Sequence, residues 1–191
     1  MPPFPEQEKR MDPVRELKSG ALTALLVAVA GVVLGLLWLW LAPRIPLVSD
    51  GKAVYLKDTE GEQAVGADGT FVLLALAIGV LTGAVVFWRH RRGGVGIVLG
   101  MAAGAVLGSV LAWRLGVWLG PTGDLIAHAR AVGVKTVFDG PLALQAKGAL
   151  LAWPIGAVLT HLLLTTAFGP RDEEHSVPRW DAPPPPPLPG A

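Results

Sequence analysis

Two ionisable side chains, Arg114 and His161, stand inside long apolar runs, and they are the residues of this chain best placed to do chemistry. A charge held at mid-membrane costs about 2.5–3.5 kcal/mol on an insertion scale, so such a residue is a candidate for a ligand contact, a proton relay or an ion path. Arg114 lies about five residues from the end of its apolar run, between Trp113 and Trp118. From there a long side chain reaches the headgroups, which points to an interfacial anchor or an ion pair with an outer-loop acid. His161 has only Thr160, Thr165 and Thr166 as polar company on its run. None of these completes a metal site, and a helix-packing histidine is expected. The other polar cluster is Asp58, Glu60, Glu62 and Asp68. Read as a twelve-residue calcium loop from Asp58, it puts Gln63 where a glycine belongs and Gly69 where the bidentate glutamate belongs. A solvated acidic loop fits better, with Asp68 capping the helix that follows. The sequence holds no Walker, Ser-His-Asp or HExxH set, and its lack of cysteine removes thiolate chemistry and disulfides. The reading is a non-enzymatic protein with no cofactor and no bound metal.

The elements that position these residues follow from the apolar content. Of 191 residues 52% are hydrophobic and only 16% charged, far from a soluble domain. A net charge of +1 and no basic groove leave no case for nucleic acid. Four apolar runs, about 21–42, 71–88, 94–119 and 142–168, form a membrane domain over residues 21–168. The first, of 22 residues, is about 33 Å long at about 1.5 Å per residue, enough to cross a core of about 30 Å. The first is too long for a cleaved leader, and Trp40 sits where a small residue would be needed. Its helix is predicted to begin near Pro13, after Asp12 as N-cap.

Small residues recur every four positions through the third run at Gly96, Gly100, Gly104 and Gly108, continued by Ala112, Gly116 and Gly120. The second run repeats the spacing at Ala75, Gly79 and Gly83, and the fourth at Gly148, Ala152, Gly156 and Thr160; the first has Gly31 and Gly35. In lipid such stripes are seams where backbones approach closely, because the hydrophobic effect does not draw helices together there. The turn at 89–93 makes the second and third spans antiparallel neighbours, a hairpin over 71–119 around which the others pack. Trp153-Pro154 predicts a kink in the fourth span.

Arg89, Arg91 and Arg92 on that shortest turn set the orientation. With both ends inside, nine Lys and Arg face the cytoplasm and five the outside, with Arg114 and Lys147 near the outer helix ends. Trp38, Trp40, Trp113 and Trp118 then gather at the outer interface and Trp88 at the inner one. The outer loop 43–69 carries Asp50-Gly51 between two short apolar runs, a hairpin signal. Residues 124–132 suggest one or two helical turns at the interface. Residues 1–20 form a polar cytoplasmic segment, and 169–191 a tail ending in Pro183–Pro187, extended and unable to build a core.

The fold class is an all-α membrane protein, a four-transmembrane-helix bundle with a small extracytoplasmic β-hairpin. Three stretches, Gly35-Leu-Leu-Trp-Leu-Trp-Leu-Ala-Pro43, Gly66-Ala-Asp-Gly-Thr-Phe71 and Gly148-Ala-Leu-Leu-Ala-Trp-Pro154, resemble those of an actinobacterial family of small four-span membrane proteins of unknown function. The resemblance covers about 20–168, implies a multi-pass plasma-membrane protein and transfers no catalytic residue. Some members of such families are labelled permeases. The leading expectation is an envelope or accessory protein in the lipid bilayer, meeting a protein partner through loop 43–69 or the tail. The alternative is an ABC-type permease subunit or a small oligomeric channel.

Overall fold

A computed structural model describes residues 13–50, 53–58, 62–91, 94–121, 123–133 and 136–169. The apolar runs wind into helices, because without water beside it a chain must satisfy its backbone N–H and C=O groups internally. Helix α1 spans Pro13–Leu41, α2 Gln63–Arg89 and α3 Val95–Leu119. A short helix α4, Leu125–Val132, precedes a 3-10 turn at Lys147–Leu151 that runs directly into α5, Ala152–Phe168. Among the described residues four helices are long and apolar enough to cross a membrane: α1, α2, α3 and the last, counted with its 3-10 turn. The protein is thus an all-α four-helix bundle of multi-pass membrane character, carrying one small antiparallel sheet. Its outward faces expose Leu25, Val29, Leu73, Val80, Leu107 and Leu163, a surface suited to acyl chains.

Two helix boundaries differ from the sequence expectation. α2 starts at Gln63 rather than Phe71. Residues 64–70 contain no breaker stronger than glycine, and the Thr70 hydroxyl donates to the Gly66 carbonyl at 2.8 Å within the turn. The fourth run is not helical from Leu142 to Ala146. Asp68 holds that segment instead: its carboxylate accepts from the amides of Gln145 at 2.9 Å and Ala146 at 2.7 Å. Asp68 therefore does not cap α2, in which it lies, but ties down the extended segment that leads into the 3-10 turn. Pro154 falls in the first turn of α5, where its missing N–H leaves no helical bond unmade. The change from 3-10 to α winding falls just before Trp153-Pro154, where the sequence predicts a kink.

The sheet has the order β2-β1-β3, with β1 at Pro46–Ser49, β2 at Val54–Leu56 and β3 at Val137–Asp139. The expected hairpin is present in β1 and β2, paired as Leu47 with Leu56, Val48 with Tyr55 and Ser49 with Val54. That register moves Asp50 out of the turn centre. Its amide donates to the Ala53 carbonyl at 3.3 Å and its carboxylate accepts from the Ala53 amide at 2.8 Å. The third strand adds Leu47 opposite Phe138 and Val48 opposite Val137. Leu47, Phe138 and Ala129 of α4 bury a small core between sheet and helix. α4 itself begins at Asp124, which accepts from the Ala127 amide at 2.9 Å, and ends at Gly133 with φ 96°.

The helices pair in a way the short turn conceals. α1 lies along α3 and α2 along α5, each pair running in the same direction. α2 and α3, expected as the organising hairpin, touch only slightly. Gly31 meets Gly108 and Gly79 meets Gly156, a separation of 77 residues in both cases (108 less 31, 156 less 79).

Candidate functional site

The glycine stripes are filled by neighbouring backbones of the same chain. Gly100 lies against the backbone of Gly20, and a methyl at Gly104 would stand 2.5 Å from the Ala24 carbonyl oxygen. A methyl at Gly96 would meet the Glu16 side chain at 2.8 Å, whose Oε1 accepts from the Gly96 amide at 2.9 Å. That carboxylate closes the N-terminal end of α3, satisfying a donor the helix cannot use and opposing its dipole. In the other pair, a methyl on Gly79 would lie 2.7 Å from the Trp153 carbonyl oxygen, and one on Gly156 would lie 3.2 Å from the Leu76 carbonyl oxygen. Gly83 faces Ala157 and Thr160. Gly148 is the exception to the expected seam: nothing lies within 4 Å of its added methyl, because it sits in the 3-10 turn.

Two tryptophans occupy notches in α3. The Trp153 ring rests on Gly108, where an added methyl would approach within 2.8 Å, and its Nε1–H donates to the Thr82 hydroxyl at 3.2 Å. The Trp38 ring rests on Gly116, where a methyl would approach within 2.5 Å, and its Nε1–H donates to the Ala67 carbonyl at 2.9 Å. It also meets Phe71 edge to face at 5.2 Å. Trp38 was expected at the outer interface; it is instead fully buried, since the Gly116 notch accepts its ring and a carbonyl takes its N–H. Trp40, Trp118 and Trp88 remain exposed, as interfacial residues are.

The structure keeps Arg114 and His161 apart. Arg114 is exposed near the C-terminal end of α3 with its Cζ 4.8 Å from the Trp113 ring centre, and the Lys147 Nζ lies 4.3 Å from the same centre. Stacking on an indole is the anchor that Arg114 makes, and no ion pair joins it to a loop acid among the described residues. His161 lies toward the other end, its ring 6.0 Å from Phe87 and its Nδ1 buried without a partner among the described residues. Arg91 stacks over Phe87 and Trp88 at 5.8 and 5.2 Å. Arg92, Glu60, the segment 1–12 and the proline tail lie outside the described residues. Among the described residues no group of three or more His, Asp or Glu side chains is arranged to hold a metal.

No family model, curated protein or solved structure matches the chain.

The sequence reading missed one feature, a groove of about 410 Å³ between α1 and α2. Thr23, Val27 and Ala30 form one wall, and Ile78, Thr82 and Val86 the other. Both hydroxyls are already engaged: Thr23 donates to the Ser19 carbonyl at 2.8 Å, and Thr82 to the Ile78 carbonyl at 2.7 Å. The walls therefore behave as apolar. Arg89 and His90 stand at the mouth, and the His90 Nδ1 is shielded without a hydrogen-bond partner among the described residues. The sequence signalled only the mouth, as basic residues on a turn. The groove itself depends on α1 pairing with α3 rather than with α2.

Proposed function

We propose that the protein is a non-enzymatic accessory protein of the plasma membrane, with both ends in the cytoplasm and its strand-and-helix cap outside as the contact surface for an envelope partner. The resemblance to a small four-span actinobacterial family supports the multi-pass plasma-membrane part of this reading. The observation that carries the reading is the division of surface. The bundle interior is filled by Trp38, Trp153, Phe71, Leu34 and Met101, while the cap leaves Tyr55, Leu56, Ile126 and Val137 exposed. Orientation is supported by Arg89 and Arg91 on the turn between α2 and α3. The channel alternative has less support, because the seams that would line a pore between copies are occupied within one chain.

The test is isolation of the tagged protein from its native membrane in mild detergent, with quantitative mass spectrometry. The reading expects a stoichiometric membrane or envelope protein, released by Leu56→Asp together with Val137→Asp on the cap. A stoichiometric ATPase, or solute flux through the purified protein in liposomes, overturns it in favour of a transport subunit.

A further inference from the structure

We infer that the α1–α2 groove is a binding site for one anionic phospholipid of the leaflet at the Arg89 end, its acyl chain between the helices and its phosphate held by Arg89 and His90. The dimensions are those of one leaflet. Twelve residues separate Ile78 from His90, about 18 Å of helix at 1.5 Å per residue. Half of a hydrocarbon core is about 15 Å. The groove therefore ends near the bilayer centre and gives no path across. Its apolar walls and volume of about 410 Å³ suit a single flexible chain.

Charge decides the headgroup. Arg89 brings a permanent cation with forked donors that match phosphate oxygens. His90 adds an imidazole nitrogen that is shielded from water and lacks a partner among the described residues, the type of group that a ligand oxygen or hydroxyl satisfies. The nearest acid on the same end of α1, Glu16, is turned away and bonded to the Gly96 amide at 2.9 Å. The mouth thus presents positive charge at the depth where anionic headgroups concentrate.

The site rests on the membrane reading but not on which end faces the cytoplasm, and the test is independent of that. The full chain is exchanged into detergent with equal amounts of phosphatidylglycerol and phosphatidylcholine of identical acyl chains, and retained lipid is counted by native mass spectrometry. One phosphatidylglycerol is expected to be held at least fivefold over phosphatidylcholine. Arg89→Gln with His90→Gln is expected to bring the two to parity, and Val85→Trp, which fills the groove, to release both. A photoactivatable phosphatidylglycerol on the unaltered protein is expected to label 23–30 and 78–90, a readout that does not depend on any variant folding. Equal retention of the two lipids, an unchanged preference in the double variant, or labelling elsewhere on the chain each overturns the proposal.

Discussion

Ser109 and Gly104 lie five residues apart on α3, and substitutions at these two positions have opposite effects. Ser109 is fully buried and its hydroxyl has no partner among the described residues. A buried unsatisfied polar group costs about 1–3 kcal/mol, so removing the oxygen is close to neutral or stabilising. Gly104 has the Ala24 backbone where a side chain would go, and overpacking of this kind costs about 1–3 kcal/mol or more. Thermal unfolding in mild detergent, followed by circular dichroism, is expected to leave Ser109→Ala at or above the native midpoint and to lower Gly104→Leu by several degrees. The reverse order would mean that α1 does not lie against α3. The stripe that contains Gly104 was legible in the sequence because small residues at four-residue spacing have one main use in lipid. The burial of Trp38 was not. A tryptophan near a helix end looks interfacial, and the notch that receives it belongs to Gly116, a residue far away in the chain.

At the level of elements, the four spans were legible and their partners were not. Every helix carries a small-residue face, and such a face states that a neighbour exists without naming it. Chain proximity favoured α2 with α3, whereas the closest contacts join α1 to α3 and α2 to α5. β3 was hidden for a related reason: three residues without a turn signal become a strand only because β1 offers its free edge. The pairing has a measurable consequence. Both extensive interfaces cross the turn at 89–93, so a chain divided there and co-expressed as residues 1–92 and 93–191 is expected to co-purify as a complex with native helicity. Independent recovery of the two pieces would show that α2 and α3 depend on their covalent link.

Across the whole molecule, the cap and the turn mark opposite ends of the bundle. The chain contains no cysteine, so single introduced thiols report sidedness without background. In intact cells Tyr55→Cys is expected to react with a membrane-impermeant maleimide, since Tyr55 is exposed on β2. Arg91→Cys is expected to react only after permeabilisation. The opposite pattern would invert the orientation and leave the bundle as described.

The separation of each helix from its partner in the sequence also bears on synthesis. When α1 and α2 leave the ribosome, the faces bearing Gly20, Gly31, Gly79 and Gly83 have nothing to close them, because their partners lie in the second half. At about 5–20 residues per second, roughly 3–11 s pass between completion of α1 and the first residues of α3. During that interval the nascent chain presents two open backbone furrows to the insertion machinery and to any other helix nearby. A newly made first half thus has a brief period in which pairing with the wrong chain competes with pairing to its own second half.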